Sequence, residues 1–512
     1  MPTRVTAARP QGHRGGPASG CVLSSKLRCA PAPHRSRRWR LAEGPPQAPS
    51  AAAGTSRRRP PARRAGTDRA ASGDLHGARR RAGRGRADGC DTAKEHDDVN
   101  SRERASTAPV CRLCAGPVRE CVDLGRQPVS NAFLRPQDVG SESFFRLAVG
   151  ICADCAMVQQ LEAMPTSHMF RADYPYRSSS SDGLRRHFEQ VAGWLRDTEL
   201  TDPADLVVEI GCNDGLMLRT LGAAGVRHIG VDPSAGAAQA AAARGAEVRV
   251  DFFDERSAAE IRAERGPAKV IFSANTISHI ADIDEIFRGV DRLLRSDGIF
   301  VFEDRYVADI IEHAYFDQIY DEHFYLFSVR AVDAMVARFG FELVDVEHIP
   351  IHGGSLRYTV ARPGVRPVRE CVARLIEDEA RYGIGEHDTY VRFGQQIDRI
   401  GADLVALLTD LRDAGRRVVG YGATSKSATV TNYCGIGPDL VPYICDTTPE
   451  KQGRLSPGAH IPIRPHEVFA DPYPDYALLF AWNHAEEVMA KERRFVEQGG
   501  RWILYVPHVR IV

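Results

Sequence analysis

The stretch Leu206-Val-Val-Glu-Ile-Gly-Cys-Asn-Asp-Gly215 limits most strongly what this chain can fold into. Leu206 to Ile210 form a β-rich apolar run, a glycine-flanked turn ends it, and a helical pattern follows from Leu216 to Leu221. Such a run belongs to a strand buried on both faces of a parallel sheet, which must be covered by helices. The turn then delivers its loop to a helix N-terminus, where open α/β sheets receive ligands. Gly211 and Gly215 allow backbone conformations and close approaches that a Cβ forbids.

The spacing is not the dinucleotide fingerprint, because Asn213 and Leu216 stand where the second and third glycines of G-x-G-x-x-G belong. It reads as a loop for S-adenosylmethionine, with Glu209, Gly211, Asn213 and Gly215 as contacts, against the plainer reading of an ordinary strand-to-helix turn. From Asp205 the pattern alternates strand and helix. Strands are expected over 206–210, 228–232, 247–250, 269–274 and 298–303, the signature of a doubly wound parallel sheet. Two more, Phe341–Val346 and Leu356–Ala361, flank the turn His352-Gly-Gly-Ser355. Five parallel strands and an antiparallel pair make a seven-stranded α/β sheet that looks like the class I methyltransferase fold. In such a sheet Asp232 ends the second strand, where a carboxylate accepts ribose hydroxyls. Asp254 follows the third and could reach an adenine amino group, and Asn275 ends the fourth. Each of these could equally cap a helix.

Cys111-Arg-Leu-Cys114 and Cys152-Ala-Asp-Cys155 are paired C-x-x-C knuckles. Each sets two thiolates on one face of a turn, and together they complete a tetrahedral four-sulfur zinc site. A closed site is structural, so zinc should staple a small lobe. A redox dithiol pair fits poorly, since neither knuckle opens a helix after a strand. Cys121 is left over as buried filler.

The zero net charge of the 512 residues is a sum of unlike parts. Residues 1–100 carry 21 Lys and Arg against 8 Asp and Glu, so the rest is acidic by the same margin. Rich in Arg, Ala, Pro and Gly, residues 1–105 cannot bury a core and read as a disordered extension, or as GC-rich upstream sequence translated from too early a start, with initiation near Val99. No apolar run approaches the ~20 residues of a membrane span, and the basic start lacks an apolar signal segment. A reducing cytoplasm suits twelve cysteines in a chain of this length.

His279 follows Asn275 by one helical turn, and Tyr320-Asp-Glu322-His323-Phe-Tyr325 lies between the fifth and sixth strands. Histidine takes protons near neutral pH, and an adjacent carboxylate can orient it. The bland alternative is a satisfied structural histidine. Beyond a helical stretch from Tyr390 to Ala414 comes a second Rossmann-type unit, with Gly420-Tyr-Gly422-Ala-Thr-Ser425-Lys426 and strands near 441–445, 476–482 and 502–506. Ser425 replaces its third fingerprint glycine and no acidic residue is clearly placed to hold ribose, so it is not expected to bind NAD. Lys426 at a helix start can meet a phosphate or simply be solvated.

Taken together, these residues resemble the sugar C-methyltransferases that act on nucleotide-linked 4-keto-deoxyhexoses. The resemblance covers about Val110 to Val512. Its motifs are the paired knuckles, Tyr174-x-Tyr176-x-Ser178-Ser179, Glu-Ile-Gly-Cys-Asn-Asp-Gly, Asn-x-x-x-His-Ile, Tyr-x-Glu-His-Phe, His-Gly-Gly-Ser-Leu-Arg, Gly-Tyr-Gly-Ala-x-x-Lys and Lys-Gln-Gly-Arg. It implies a zinc-binding domain at 106–170, a class I S-adenosylmethionine domain at 171–365 and a Rossmann-like domain at 366–512 contacting a dTDP-linked sugar. It also implies C-3 methylation through an enolate, with His323 as base, Glu322 holding it, and Tyr320, His279 and Tyr174 or Tyr176 on the sugar and enolate oxygens. Ser178, Ser179, His352, Ser355, Arg357 and Lys426 are the implied substrate contacts. The hydroxyl-rich loop Thr424-Ser425, with Ser427, departs from the family pattern and leaves the exact sugar nucleotide open. The expected partner is this small molecule, with no nucleic acid and no membrane, and the chain as a monomer or weak homodimer. A nucleic-acid methyltransferase is disfavoured because residues 101–512 are net acidic and would repel a polyanion. An O- or N-methyltransferase of the same fold and a non-catalytic relative remain as alternatives.

Overall fold

The computed structural model describes residues 109–164 and 177–512. The extension read at 1–105, and Tyr174 and Tyr176, lie outside those described residues. The described chain builds sheets of four, seven and six strands.

The first sheet starts with β1 (Val118–Pro128), β2 (Phe144–Cys152) and β3 (Val158–Gln160), an antiparallel meander beside the cysteine knuckles. The seven-stranded sheet uses β4 (Leu206–Ile210), β5 (Arg227–Val231), β6 (Val248–Arg249), β7 (Ala268–Ala274) and β8 (Leu294–Arg305). Between its fifth strand and its closing hairpin lies β9 (Tyr325–Leu326), which leaves this sheet and pairs with β3 of the first. The hairpin is β10 (Glu342–Ile349) and β11 (Ser355–Ala361), and the strand order is β10-β11-β8-β7-β4-β5-β6. Strands β4 to β8 run parallel, while β11 runs antiparallel to β8 and β10 to β11.

Burial follows position in the sheet. Val207, Val208, Val270, Ile271 and Phe272 of the central strands are fully buried, as expected of strands covered on both faces. The edge strand β6 keeps only two half-buried residues, and Val250 beyond it is 55% exposed. The expected strand at 247–250 is therefore shorter, because an edge has one partner to pair with.

In the third sheet β12 (Val418–Tyr421), β13 (Ile444–Asp446), β14 (Ile463–Pro465), β15 (Tyr476–Leu479) and β16 (Arg501–Leu504) are parallel, and β17 (Arg510–Ile511) closes antiparallel. A 27-residue helix, His387–Asp413, leads into it. Strands β14 and β17, of three and two residues, are too short for a periodic signal. Among the described residues no helix is long and apolar enough to cross a membrane.

Candidate active site

The carboxyl ends of β4, β5 and β7 open into one cavity. Gly211 holds φ +71°, and a Cβ there would lie 2.2 Å from Thr276 Oγ1, so only glycine fits. The N–H of Asn213 donates to Asp232 Oδ2 at 2.8 Å and that of Ser234 to Oδ1 at 2.9 Å. These two bonds pin the loop after β4 to the end of β5 and leave spare lone pairs on the carboxylate for a ligand. Burial raises the Asp232 carboxyl above its ordinary value, opposed by those N–H groups. Asn275, at φ +52°, lines the cavity with an Oδ1 that has no hydrogen bond among the described residues. Ser178 lines it too, its N–H donating to Asn213 Oδ1 at 3.1 Å. Behind the loop, burial and then Asp232, Asp214 and Glu303 push the Glu209 carboxyl well up. An acidic, glycine-floored cradle with unfilled acceptors suits S-adenosylmethionine, which carries positive charge and two ribose hydroxyls.

Three expected cofactor contacts sit elsewhere, Glu209 behind the loop being one. Asp254 Oδ1 accepts the Ser257 N–H at 2.7 Å and caps the helix Glu255–Arg265, while Phe252 and Phe253 supply the cavity wall there. A Cβ on Gly215 would meet Ala241 Cβ at 2.9 Å, so this glycine lets two helices pack closely and does not approach a ligand.

The second zone is built on the loop before β9. His279 and Tyr320 line the cavity; His323 is fully buried and does not line it, but packs against both, with ring centroids 5.1 and 3.8 Å away. Gln318 holds His323 through a hydrogen bond between Nδ1 and its backbone carbonyl. A carbonyl only accepts, so Nδ1 carries the proton and Nε2 presents its lone pair; Nε2 has no hydrogen bond among the described residues. Burial, then Arg305, holds His323 well below its ordinary value, and the same causes bring His279 to about 3. Both rings are neutral near pH 7. Glu322 lines the cavity and accepts from Asn131 Nδ2 at 2.7 Å, but it makes no hydrogen bond to His323. The expectation that it holds the histidine is corrected. Residues 320–323 close a turn through His323 N–H and Tyr320 O, which splays neighbouring side chains, and Gln318 takes the orienting role.

This loop is gripped by the first sheet. Gln160 Nε2 donates to Tyr320 O at 2.6 Å, Gln160 N–H to Phe324 O at 2.9 Å, and Ser130 N–H to Asp321 Oδ1 at 3.0 Å. The knuckles that begin and end that lobe meet beside it. Sγ atoms of Cys111 and Cys155 are 3.6 Å apart, Cys114 and Cys152 3.5 Å, and all four lie within 4.8 Å of one another. Zinc–sulfur bonds of ~2.3 Å in a tetrahedron need sulfurs about 3.8 Å apart, so the cluster fits zinc. Cys121, outside it, donates to Val149 O.

The third zone belongs to the last sheet. Lys426, in the first turn of the helix Ser425–Cys434, and Lys451 both line the cavity. Burial lowers Lys426 to about 8, partly offset by Asp317, and lowers Lys451, offset by Asp446 and Glu450. His352 also lines this end. Arg357 does not. Its guanidinium meets Glu303 Oε1 and Glu347 Oε2, each at 2.7 Å, and covers the Trp194 ring, so its charge is already matched. Ser355 is fully buried and donates to Ile351 O, and Ser179 turns its hydroxyl to Arg244. These three expected substrate contacts are structural, because strand pairing and the loop fold point them away from the cavity.

Asp446 was not legible as a ribose-side acid, yet it repeats the geometry of Asp232. Its Oδ2 accepts the Ala423 N–H at 2.7 Å, from the loop after β12, and its Oδ1 that of Thr448 at 2.8 Å. Sequence reasoning also missed Arg305, Gln318 and Gln160. Lys451 had a signal, the quoted Lys-Gln-Gly-Arg motif, and Arg305 had another, its place at the carboxyl end of the fifth parallel strand.

The chain is 34% identical over 406 residues to C-methyltransferase NovU of Streptomyces niveus, an alignment covering 78% of this chain and 96% of NovU. The chain belongs to the C-methyltransferase family. A model described as C-methyltransferase C-terminal domain matches residues 350–507, a methyltransferase domain model residues 184–346 and a zinc binding domain model residues 111–170. The ubiquinone biosynthesis O-methyltransferase of Azorhizobium caulinodans is 30% identical over 123 residues, 23% of this chain and 46% of that protein. Magnesium protoporphyrin IX methyltransferase from Synechocystis PCC 6803, solved with bound SAH, covers 35% of this chain and 84% of its own at 14% identity and TM-score 0.28. This C-methyltransferase is thus an S-adenosylmethionine-dependent enzyme with a zinc-binding domain that holds a four-cysteine cluster.

Proposed function

We propose that this C-methyltransferase methylates the carbon next to the keto group of a nucleotide-linked 4-keto-deoxysugar, at C-3. The observation that carries this reading is one cavity whose wall runs from Asp232, past His279 and Tyr320, to Lys426 and Lys451. Such a wall matches a methyl donor, a reacting sugar and a diphosphate in that order. Asp232, Asn213 and the Gly211 turn hold the donor. S-adenosylmethionine, when bound there, supplies an electrophilic methyl group.

A hydroxyl oxygen already carries a lone pair that can attack as its proton leaves, whereas a carbon acid has none until it loses a proton. His323 Nε2 takes that proton, worth a factor of ~10² to 10⁴ for a positioned base. Its tautomer is preset by the Gln318 carbonyl, which also stabilises the imidazolium through Nδ1–H. Tyr320, His279 and Glu322 bind the sugar oxygens, with Ser178 and His352 beside them. Lys426 and Lys451 receive the diphosphate; both are half-buried, and partial exclusion of water strengthens a charge pair.

Incubation with isotopically labelled S-adenosylmethionine and a panel of nucleotide-linked keto sugars tests the reading. The expected product shows the labelled methyl bonded to carbon by NMR. A methyl on oxygen, or no turnover on any keto sugar with turnover on a simple hydroxylated acceptor, overturns it.

A further inference from the structure

Arg305 ends β8, at the carboxyl edge of the fifth parallel strand, and its side chain is only 9% exposed while lining the cavity. Two of its donors are committed: Nε to Gln318 Oε1 at 2.9 Å and Nη2 to the Tyr320 hydroxyl at 3.4 Å. Nη1 is buried and has no hydrogen bond among the described residues. The acid beside it, Asp304, is 3.8 Å away through Oδ1, and its oxygens already accept from Ser278 N–H, Ser278 Oγ and Arg305 N–H.

A guanidinium stays charged at any working pH, and a buried donor of that kind left unfilled is strongly unfavourable. Proteins keep such a group where a ligand completes it. The surroundings say which ligand. Arg305 is packed against the proton-transfer zone through Gln318 and Tyr320, whose ring lies on His323, and its charge lowers His279, His323 and His352 alike, each after burial. Gln318 ties the two functions together: its carbonyl fixes His323, its side-chain oxygen fixes Arg305, and its amide donates to His352 O at 2.8 Å.

We infer that Arg305 is a further catalytic residue, the buried cation whose free Nη1 receives the enolate oxygen when His323 removes the neighbouring proton. This rests on the ketone reading above. The C–H bond breaks, its proton goes to His323 Nε2, its electron pair forms the C=C bond, and the carbonyl π pair moves onto oxygen beside Arg305. In methyl transfer the C=C pair forms the new carbon–carbon bond, the sulfur–methyl pair stays on sulfur, and the oxygen returns to a carbonyl. A fixed cation where charge develops acts without reorganisation, which is why such groups outweigh a flexible solvated one.

The test separates proton removal from methyl transfer. Wild type, Arg305→Gln and Arg305→Lys are given a nucleotide-linked 4-keto-deoxysugar in D2O without methyl donor, and exchange at the α-carbon is followed by NMR; methyl transfer is measured separately. Arg305→Gln should lower both rates by about 10²- to 10³-fold, the loss seen on removing an oxyanion donor, with KM within about threefold on the same scale. The pH below which exchange fails should also rise, because the charge that depresses His323 is gone; a packing role would not move it. Arg305→Lys keeps charge but not the fork, so it should fall between the two. Guanidinium ion should partly restore Arg305→Ala. Should Arg305→Gln not fold, Arg305→Lys carries the same reading: its exchange and methyl-transfer rates should fall while its pH profile stays as in wild type, because the charge is kept. Exchange by Arg305→Gln at the wild-type rate, or a raised KM with unchanged kcat, overturns the inference alone. A wild-type enzyme that exchanges no α-hydrogen overturns the ketone reading, and this inference with it.

Discussion

Replacing Gly211 by alanine places a methyl group where the fold has no room for one. At φ +71° an L-residue is disfavoured by ~1–2 kcal/mol. The added Cβ would also lie 2.2 Å from Thr276 Oγ1, 2.6 Å from Cγ2 and 2.9 Å from Cβ. Relieving contacts that short in packed surroundings costs a further ~1–3 kcal/mol. Thr276 is not free to swing away at no cost, since its hydroxyl donates to Ala274 O at 3.1 Å. The sum, about 2–5 kcal/mol, is read by denaturant unfolding of Gly211→Ala. Because Gly211 lines the cavity, donor affinity measured by calorimetry should fall at least about tenfold, which corresponds to ~1.4 kcal/mol. Thr276→Gly in the same chain removes the clash and leaves the conformational part, so the double variant should recover all but ~1–2 kcal/mol. A Gly211→Ala protein within about 0.5 kcal/mol of wild type, binding S-adenosylmethionine equally well, would refute both the backbone conformation and the contact.

Other tests bear on the remaining zones. His323→Asn should leave donor affinity unchanged and lower methyl transfer by about 10²- to 10⁴-fold; a wild-type rate moves the base assignment to His279. Gln160→Met deletes the donor to Tyr320 O without touching the cavity wall, so stability should drop by ~0.5–1.5 kcal/mol and kcat should fall while donor affinity holds. An unchanged kcat would mean the zinc lobe's grip on that loop has no bearing on catalysis. His279, His323 and His352 have folded values below their ordinary 6.5, so between those values the unfolded chain binds protons that the folded chain does not. Stability should therefore fall as pH drops below about 6.5, by up to ~1.4 kcal/mol per pH unit per histidine. Melting between pH 7 and 5 checks this, and a flat profile contradicts the neutral state of these rings.

Several parts of the enzyme are legible in its sequence. A buried strand must be apolar along its whole length, so Leu206–Ile210 announces itself, and the ligand edge of a parallel sheet follows from its chain order. Cysteines at metal-ligand spacing carry their partner in their chemistry. Asp232 and Asn275 are placed because a strand's end is a local property.

Side-chain direction in loops is not local, and there the expectations failed. Arg357 and Ser355 stand next to the right turn, but strand pairing commits them to Glu303, Glu347 and Ile351. Adjacent in sequence, Glu322 and His323 diverge across a turn, and the residue that sets the histidine's tautomer is five positions earlier. Gln160 reaches Tyr320 across 160 residues.

The glycine loop, the cysteine knuckles and the alternation of strand and helix from Asp205 were therefore determined by sequence alone, since periodicity, spacing and steric demand act over a few residues. Which donors remain unfilled around the reacting carbon, Arg305 Nη1 above all, was decided only by the tertiary structure. A hydrogen bond's presence or absence depends on every segment packed around it, and no single segment records that.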